Sequence, residues 1–186
     1  VDDARLVISN VLQAHEKGAK ICPRTEAISA EEIDGAWSVT LQDPMGSFVI
    51  KTKVCINATG PWIPQVLQKV FQMKGSVGIK LNRGSHLLIP KPYHQEQAYL
   101  LQHVDGRIVF VIPYLNDYAM IGTTDAPFDG DLSNIECTPE EAQYLCQLVS
   151  QYFKHSIRVE DIVYQWSGVR VLVNEPNKNE ASIKRE

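Results

Sequence analysis

Hydrophobic residues follow a helical spacing at the start of the chain. Apolar positions such as Leu6, Val11 and Leu12 share one face of a predicted helix, and an acidic residue at position 2 or 3 caps it. The helix is predicted to end at Gly18, because glycine is favoured just past a helix C-terminus. A short strand over residues 20–22 is predicted to follow.

Between residues 25 and 52 the chain changes to short apolar runs separated by turn residues. The runs cover 25–33, 37–41 and 48–52. Asp34-Gly35 and the segment 43–46 are typical of tight turns between antiparallel strands. The pattern therefore predicts a three-stranded meander.

A continuous apolar run at 54–56 leads into four small or polar residues and then Pro61. Such a run predicts a strand buried on both faces, which is typical of the parallel sheet of a nucleotide-binding domain. Ala58 and Gly60 carry no side chain that would hold a ligand away from the backbone. Pro61 favours the first position of a helix. The alternative is an ordinary strand-to-helix turn without a ligand.

From residue 79 to residue 162 several short strands alternate with turn signals, which indicates an antiparallel sheet. The strands are predicted at 80–89, 98–103, 107–113 and 118–122. Thr138-Pro139 begins a helix, with threonine as the cap and proline at the first position. We interpret this sheet and helix as a substrate domain inserted within a cofactor domain. The predicted division is 1–75 cofactor domain, 76–163 substrate domain and 164–186 return to the cofactor domain.

The composition is that of an ordinary globular protein. Of 186 residues, 44% are hydrophobic and 22% charged, and the formal net charge of -4 gives no general attraction to nucleic acid. The four cysteines have no CxxC spacing, so we predict reduced thiols in the cytoplasm and no metal site. No apolar run approaches the roughly 20 residues of a membrane-spanning helix.

Three side chains are candidates for chemistry. His86 has an imidazole that can take a proton from a hydroxyl while the neighbouring C–H leaves as hydride, although a structural histidine is the alternative. Arg170 follows Gly168 and can grip a phosphate through two parallel donors, unless it is a surface arginine. Thr124 can donate to a substrate oxygen, and the alternative is a local turn with Asp125. Trp166 and Trp62 are interpreted first as packing residues.

Six motifs occur in one order from end to end of the chain. They are VDDARL at 1–6, NATGPW at 57–62, GSHLLIP at 84–90, GRIVFVIPY at 106–114, IGTTD at 121–125 and SGVR at 167–170. Together they resemble the FAD-dependent glycerol-3-phosphate dehydrogenases, flavoproteins related to D-amino-acid oxidase. The resemblance implies a mixed α+β or α/β fold, with part of an FAD-binding Rossmann-like domain and an inserted antiparallel-sheet substrate domain.

The resemblance also implies an activity and roles for particular residues. The family oxidises sn-glycerol 3-phosphate to dihydroxyacetone phosphate by hydride transfer to FAD and passes electrons to a quinone. His86 would contact the substrate, and Arg170 and Arg185 would clamp its phosphate. Thr124 would donate a hydrogen bond to a substrate oxygen. The residues implied to contact FAD are Ala27, Ala58, Thr59, Gly60 and Trp62.

Two alternatives stay open. The first is a glycerol-3-phosphate oxidase that delivers electrons to oxygen, and the second is a non-catalytic module that binds a phosphorylated metabolite. The sequence has no GxGxxG turn, which in the family lies upstream. We therefore expect an internal fragment that neither holds FAD tightly nor turns over by itself. For the whole protein we expect a cytoplasmic location, peripheral contact with the cytoplasmic membrane and a homodimer as one possible assembly.

Overall fold

The computed structural model describes residues 3–74, 78–104 and 106–173. The chain divides into two compact units, Val1–Ser76 and Val77–Glu186. The phosphate-binding candidate Arg185 lies outside the described residues. In the part of the chain described, no helix is long and apolar enough to cross a membrane.

The first unit contains two helices and one small sheet. Its elements are α1 (Asp3–Glu16), β1 (Glu26–Ile33), β2 (Ala36–Asp43), β3 (Gly46–Thr52) and α2 (Ile63–Lys69). The three strands pair antiparallel in chain order, so the predicted meander is confirmed. Asp34 and Gly35 both have positive φ, as a two-residue hairpin turn requires.

The core of the first unit is small. Ala30, Val39 and Val70 are its buried residues, and Trp37 packs edge-on against Phe71 at 5.2 Å between ring centroids. The amide of Ala30 donates to the carbonyl of Val70 at 2.8 Å, which fastens the end of α2 to the meander. No residue of α1 is buried.

Two predicted strands of this unit are wrong. Residues 20–22 and 54–56 are in neither a strand nor a helix. Val54 is 68% exposed and Ile56 is 87% exposed, so the expected burial on both faces is also absent. A strand needs a partner for its backbone groups, and no segment among the described residues pairs with either stretch.

The second unit is built on one antiparallel sheet. Its strands are β4 (Ile79–Pro90), β5 (Tyr99–Gln102), β6 (Ile108–Tyr114), β7 (Tyr118–Gly122), β8 (Ala126–Pro127) and β9 (Tyr164–Val173). Along one edge β4 pairs with β7 and β8, and along its other edge with β9. The predicted antiparallel sheet is confirmed. The assignment of 164–186 to a cofactor domain stays a prediction, although β9 pairs with β4 over ten positions.

The helix α3 (Pro139–Ser150) covers this sheet. Thr138 accepts a hydrogen bond from the backbone of Glu141 and forms a capping box with it, so the predicted helix start is confirmed. Leu145 and Leu148 of α3 share the core with Leu87 and Ile89 of β4. That core fixes β4 and therefore the positions of the candidate site residues along it.

Candidate functional site

The candidate residues of the second unit lie along the pairing of β4 with β9. His86 is opposite Trp166, and Asn82 is opposite Arg170. Between these two pairs Gly84 is opposite Gly168. Because side chains alternate between the two faces of a strand, all three pairs share one face, and the middle pair contributes no side chain to it.

His86 is enclosed by its neighbours on both adjacent strands. Its ring stacks on Trp166 with 5.3 Å between centroids and 9° between planes. Gly122 of β7 is its partner on the other side, and a Cβ there would overlap the imidazole, lying 2.7 Å from Nε2. A side chain at position 122 is therefore incompatible with this ring position.

The environment of His86 favours its neutral form. Burial lowers the pKa of His86 below the ordinary value of 6.5, and the positive charge of Arg170 lowers it further. Nδ1 is buried without a hydrogen-bond partner among the described residues. A neutral imidazole keeps one nitrogen with a free lone pair, which can accept a proton.

Arg170 is held from one side only. Its Nη2 donates to the Thr124 carbonyl at 3.0 Å and to Asp125 Oδ1 at 2.7 Å. Asp125 Oδ1 also accepts from Asn82 Nδ2 at 3.0 Å. Among the described residues these are the partners of the Arg170 guanidinium, and 30% of its side chain is exposed. The remaining N–H groups are thus available to an anion.

The two glycines on the site face differ in what surrounds them. A Cβ at Gly84 would lie 2.5 Å from Thr123 Oγ1 and 3.4 Å from Arg170 Nη2, so the guanidinium passes close above this position. A Cβ at Gly168 would meet nothing within 4 Å, and Gly168 has no positive φ. Neither crowding nor backbone conformation requires glycine at 168, whereas close approach of a ligand would.

Thr124 is buried and its hydroxyl is used within the protein. Thr124 Oγ1 donates to Glu141 Oε1 at 2.7 Å and accepts from the Ser85 amide at 2.9 Å. Glu141 Oε2 forms an ion pair with Arg83 Nη2 at 2.9 Å. The geometry therefore gives Thr124 a part in holding Arg170 through its carbonyl, and direct contact with a substrate stays a prediction.

The charge of Glu141 is kept by its partners. Burial by itself would raise the pKa of Glu141, but the hydrogen bonds from Thr124 and from the Thr138 amide, together with the Arg83 guanidinium, lower it below its ordinary value. The carboxylate is consequently ionised at neutral pH.

Three of the five predicted cofactor residues line one cleft of the first unit. The cleft has a volume of about 710 Å³, and Ala27, Thr59 and Trp62 contribute to its walls with Arg24 and Lys69. The lining also includes the carboxylate of Glu26, so two cations face one anion there. Small residues, an exposed indole and this net positive charge fit a flat ligand that carries negative charge, such as part of a dinucleotide. The volume is in the range of small-molecule sites.

The other two predicted cofactor residues, Ala58 and Gly60, are not among the residues that line this cleft. Gly60 instead takes a positive φ of 57° and begins the turn into α2. Asn57 holds the same turn, because its side-chain oxygen accepts from Thr59 Oγ1 at 2.7 Å and its amide donates to the Ile63 carbonyl. Contact of Ala58 and Gly60 with a cofactor stays a prediction.

Sequence reasoning missed several residues that shape the site. They are Asn82, Gly122, Asp125 as a partner of Arg170, Glu141 and the stacking role of Trp166. Only Glu141 carries a recognisable signal, since it stands three residues after the capping Thr138. Asn82, Gly122 and Trp166 depend on strand register, which pairs positions 36 to 88 residues apart and is not visible in local pattern. Asp125 reaches Arg170 across 45 residues of chain, which local pattern does not show either.

Comparison with known proteins identifies the class to which this chain belongs. The model of the family described as FAD dependent oxidoreductase matches residues 1–183, and the chain belongs to this family. FAD is therefore the family's cofactor, and the predicted fold class is confirmed.

Individual relatives carry more specific names than the family does. Glycerol-3-phosphate dehydrogenase of Pseudomonas aeruginosa is 41% identical over the whole chain, which covers 36% of that protein. D-erythritol 1-phosphate dehydrogenase of Brucella abortus is 37% identical over the whole chain, which covers 38% of it. The crystal structure of glycerol-3-phosphate dehydrogenase from Bacillus halodurans complexed with FAD superposes on 94% of this chain and 36% of its own, with a TM-score of 0.83 and 28% identity. The chain thus spans little more than a third of these relatives.

Proposed function

We propose that the full-length protein oxidises sn-glycerol 3-phosphate to dihydroxyacetone phosphate with FAD as cofactor. The observation that carries this proposal is the placement of Arg170 and His86 on one face of the β4–β9 pair with two glycines between them. A cation at one end and a neutral base at the other match a substrate that carries a phosphate and a secondary hydroxyl. The named activity of the Pseudomonas aeruginosa relative supports the same substrate.

In this proposal Arg170 binds the substrate phosphate through the N–H groups that its protein partners leave unused. Asp125 and the Thr124 carbonyl fix the direction of the guanidinium, so little orientation remains to be gained on binding. Arg185 is a second phosphate ligand by resemblance.

His86 then accepts the proton of the substrate hydroxyl. The stacked Trp166 and the absence of a side chain at Gly122 hold the imidazole in place, and its lowered pKa keeps it neutral before the reaction. FAD, when bound, supplies the two-electron acceptor. The cleft of the first unit lined by Ala27, Thr59 and Trp62 would hold part of that cofactor.

The further course of the electrons and the location are also part of the proposal. The full-length protein passes electrons to a quinone and lies in the cytoplasm with peripheral contact to the cytoplasmic membrane. Transfer to oxygen is the competing proposal, and the described residues contain no group that distinguishes the two acceptors.

A second candidate substrate is D-erythritol 1-phosphate. The Brucella abortus relative carries that name at 37% identity, and the space above Gly168 is open to a longer carbon chain. In this candidate the same residues bind the phosphate and take the proton. The size of the space above Gly168 would decide between the two substrates.

The test uses purified full-length protein with bound flavin and without oxygen. Bleaching of the flavin absorbance by sn-glycerol 3-phosphate, but not by its enantiomer, is the expected result. Faster bleaching by D-erythritol 1-phosphate would favour the second candidate, and a flavin that neither compound bleaches would refute both. Reoxidation by a soluble quinone, compared with reoxidation by air, then separates dehydrogenase from oxidase.

Substitutions of His86 and Arg170 test whether these two side chains have the proposed roles. His86→Gln is expected to slow the bleaching while leaving substrate affinity nearly unchanged, and Arg170→Met is expected to weaken affinity first. Lys80→Met removes a cation from the start of β4, the strand that pairs with the strand of Arg170, and serves as a control for general loss of charge.

A further inference from the structure

Glu141 makes more contacts than its place in a capping box requires. It is 9% exposed. Its Oε2 accepts from the Thr138 amide at 3.1 Å, and Thr138 Oγ1 accepts from the Glu141 amide at 3.3 Å. These two bonds complete the capping box. The same carboxylate also accepts from Thr124 Oγ1 at 2.7 Å and pairs with Arg83 Nη2 at 2.9 Å.

Both additional partners lead to the candidate phosphate ligand. The carbonyl of Thr124 accepts from Arg170 Nη2 at 3.0 Å. Arg83 directly precedes Gly84. A Cβ added at Gly84 would lie 3.4 Å from Arg170 Nη2, so the guanidinium is close to this part of β4. One carboxylate of α3 therefore contacts both Thr124, whose carbonyl binds Arg170, and Arg83, the chain neighbour of Gly84.

We propose that Glu141 is a positioning residue, whose carboxylate holds Thr124 and Arg83 so that the Thr124 carbonyl fixes the direction of the Arg170 guanidinium. The inference rests on the proposed function, because it assigns Glu141 a part in phosphate binding. Charge-assisted hydrogen bonds to an ionised group are short and directional, which suits them to this role. A small displacement of a binding group is enough to weaken binding.

The competing explanation is that Glu141 only stabilises the start of α3. That explanation predicts that any substitution that weakens the capping box has the same effect. Thr138→Ala is the matched control, since it removes the capping hydroxyl and leaves the contacts of Glu141 with Thr124 and Arg83 in place. Glu141→Gln keeps the size of the side chain but removes the charge that Arg83 faces.

The experiment compares both variants with the flavin-loaded full-length protein. Steady-state kinetics give KM and kcat for sn-glycerol 3-phosphate, and competition gives Ki for inorganic phosphate. In Glu141→Gln we expect KM and Ki both to rise about tenfold, because a misdirected guanidinium weakens phosphate binding. We expect kcat to change by no more than about twofold, since the reacting hydroxyl and His86 are untouched. Thr138→Ala should lower the thermal midpoint and leave Ki unchanged.

Equal Ki values in Glu141→Gln and the unsubstituted protein would overturn the inference, and so would an equal rise of Ki in Thr138→Ala. If Glu141→Gln fails to fold, Glu141→Asp keeps the charge on a shorter side chain and should raise Ki by a smaller factor. No rise in that variant also contradicts the inference. If the unsubstituted protein neither oxidises sn-glycerol 3-phosphate nor binds phosphate, the proposed function fails and this inference fails with it. If the unsubstituted protein oxidises sn-glycerol 3-phosphate and binds phosphate, but Glu141→Gln and Thr138→Ala have the same Ki for phosphate, the inference alone fails.

Discussion

The two units of the chain bury apolar residues to different extents. In the second unit, β4 and α3 enclose a continuous set of buried side chains, among them Leu87 and Leu145. In the first unit three buried residues form the core, α1 buries none, and Ile56 is almost fully exposed. A sheet needs a second layer to bury one of its faces. The second unit supplies that layer from its own sequence. The candidate base lies on β4, which the layer fixes, and the candidate phosphate ligand lies on β9, which pairs with β4.

The largest expected effect tests this contrast directly. Leu145→Ala should lower the free energy of unfolding by about 2–5 kcal/mol, because it leaves a cavity in a closed core. Ile56→Ala should change it by no more than about 0.5 kcal/mol in this chain, because the side chain is exposed. Urea unfolding of both variants measures the difference. A comparable loss for Ile56→Ala would show that the first unit also has a closed core around that residue.

The next effect tests how strongly the sheet of the second unit restrains His86. Gly122→Ala should reduce kcat/KM of the full-length protein by about a hundredfold, because the new Cβ would overlap the imidazole. The control is the same substitution in a His86→Ala background, where the overlap no longer exists. There Gly122→Ala should have almost no further effect. Additive losses in the double variant would contradict a direct contact between the two positions.

A smaller effect is expected at Gly168. Gly168→Ala should leave the fold intact and raise stability by about 0.5–1 kcal/mol, since glycine is unfavourable within a strand and a Cβ meets open space. The same methyl group should raise KM for sn-glycerol 3-phosphate about tenfold if a substrate occupies that space. Stability is measured by thermal unfolding and KM by flavin reduction. A more stable variant with an unchanged KM would mean that no ligand lies above Gly168.

The smallest expected effect concerns the pH dependence of His86. The pKa of His86 is lowered, so its neutral, proton-accepting form persists below pH 6.5, and kcat/KM should fall only as the pH drops through that lowered pKa. Arg170→Met should move this limb to higher pH, because one cause of the lowered pKa is its positive charge. The limb should still lie below 6.5, because burial is the larger cause and remains.

The control for the pH profile is His86→Gln. Any acid limb that persists in this variant belongs to the substrate phosphate, whose second ionisation lies near pH 6. An acid limb at or above pH 6.5 in the unsubstituted protein would contradict the burial of the imidazole.

The comparison between the units also shows where sequence reasoning succeeded. Short apolar runs separated by the Asp34-Gly35 turn predicted the meander, and Thr138-Pro139 predicted the start of α3. These features depend on neighbours within a few residues, which the sequence displays directly. The continuous run at 54–56 was wrongly predicted as a strand, because a strand also requires a partner that no local pattern guarantees.

The sequence by itself determined the meander, the antiparallel sheet of the second unit, the cap of α3, and His86 and Arg170 as candidates for a base and a phosphate ligand. The tertiary structure decided which residues surround those two side chains. Strand register places Trp166 and Gly122 beside His86, and the packing of α3 brings Glu141 to Thr124 and Arg83. Such contacts join residues far apart in the chain, so they exist only once the sheet has paired and the helix has packed on it.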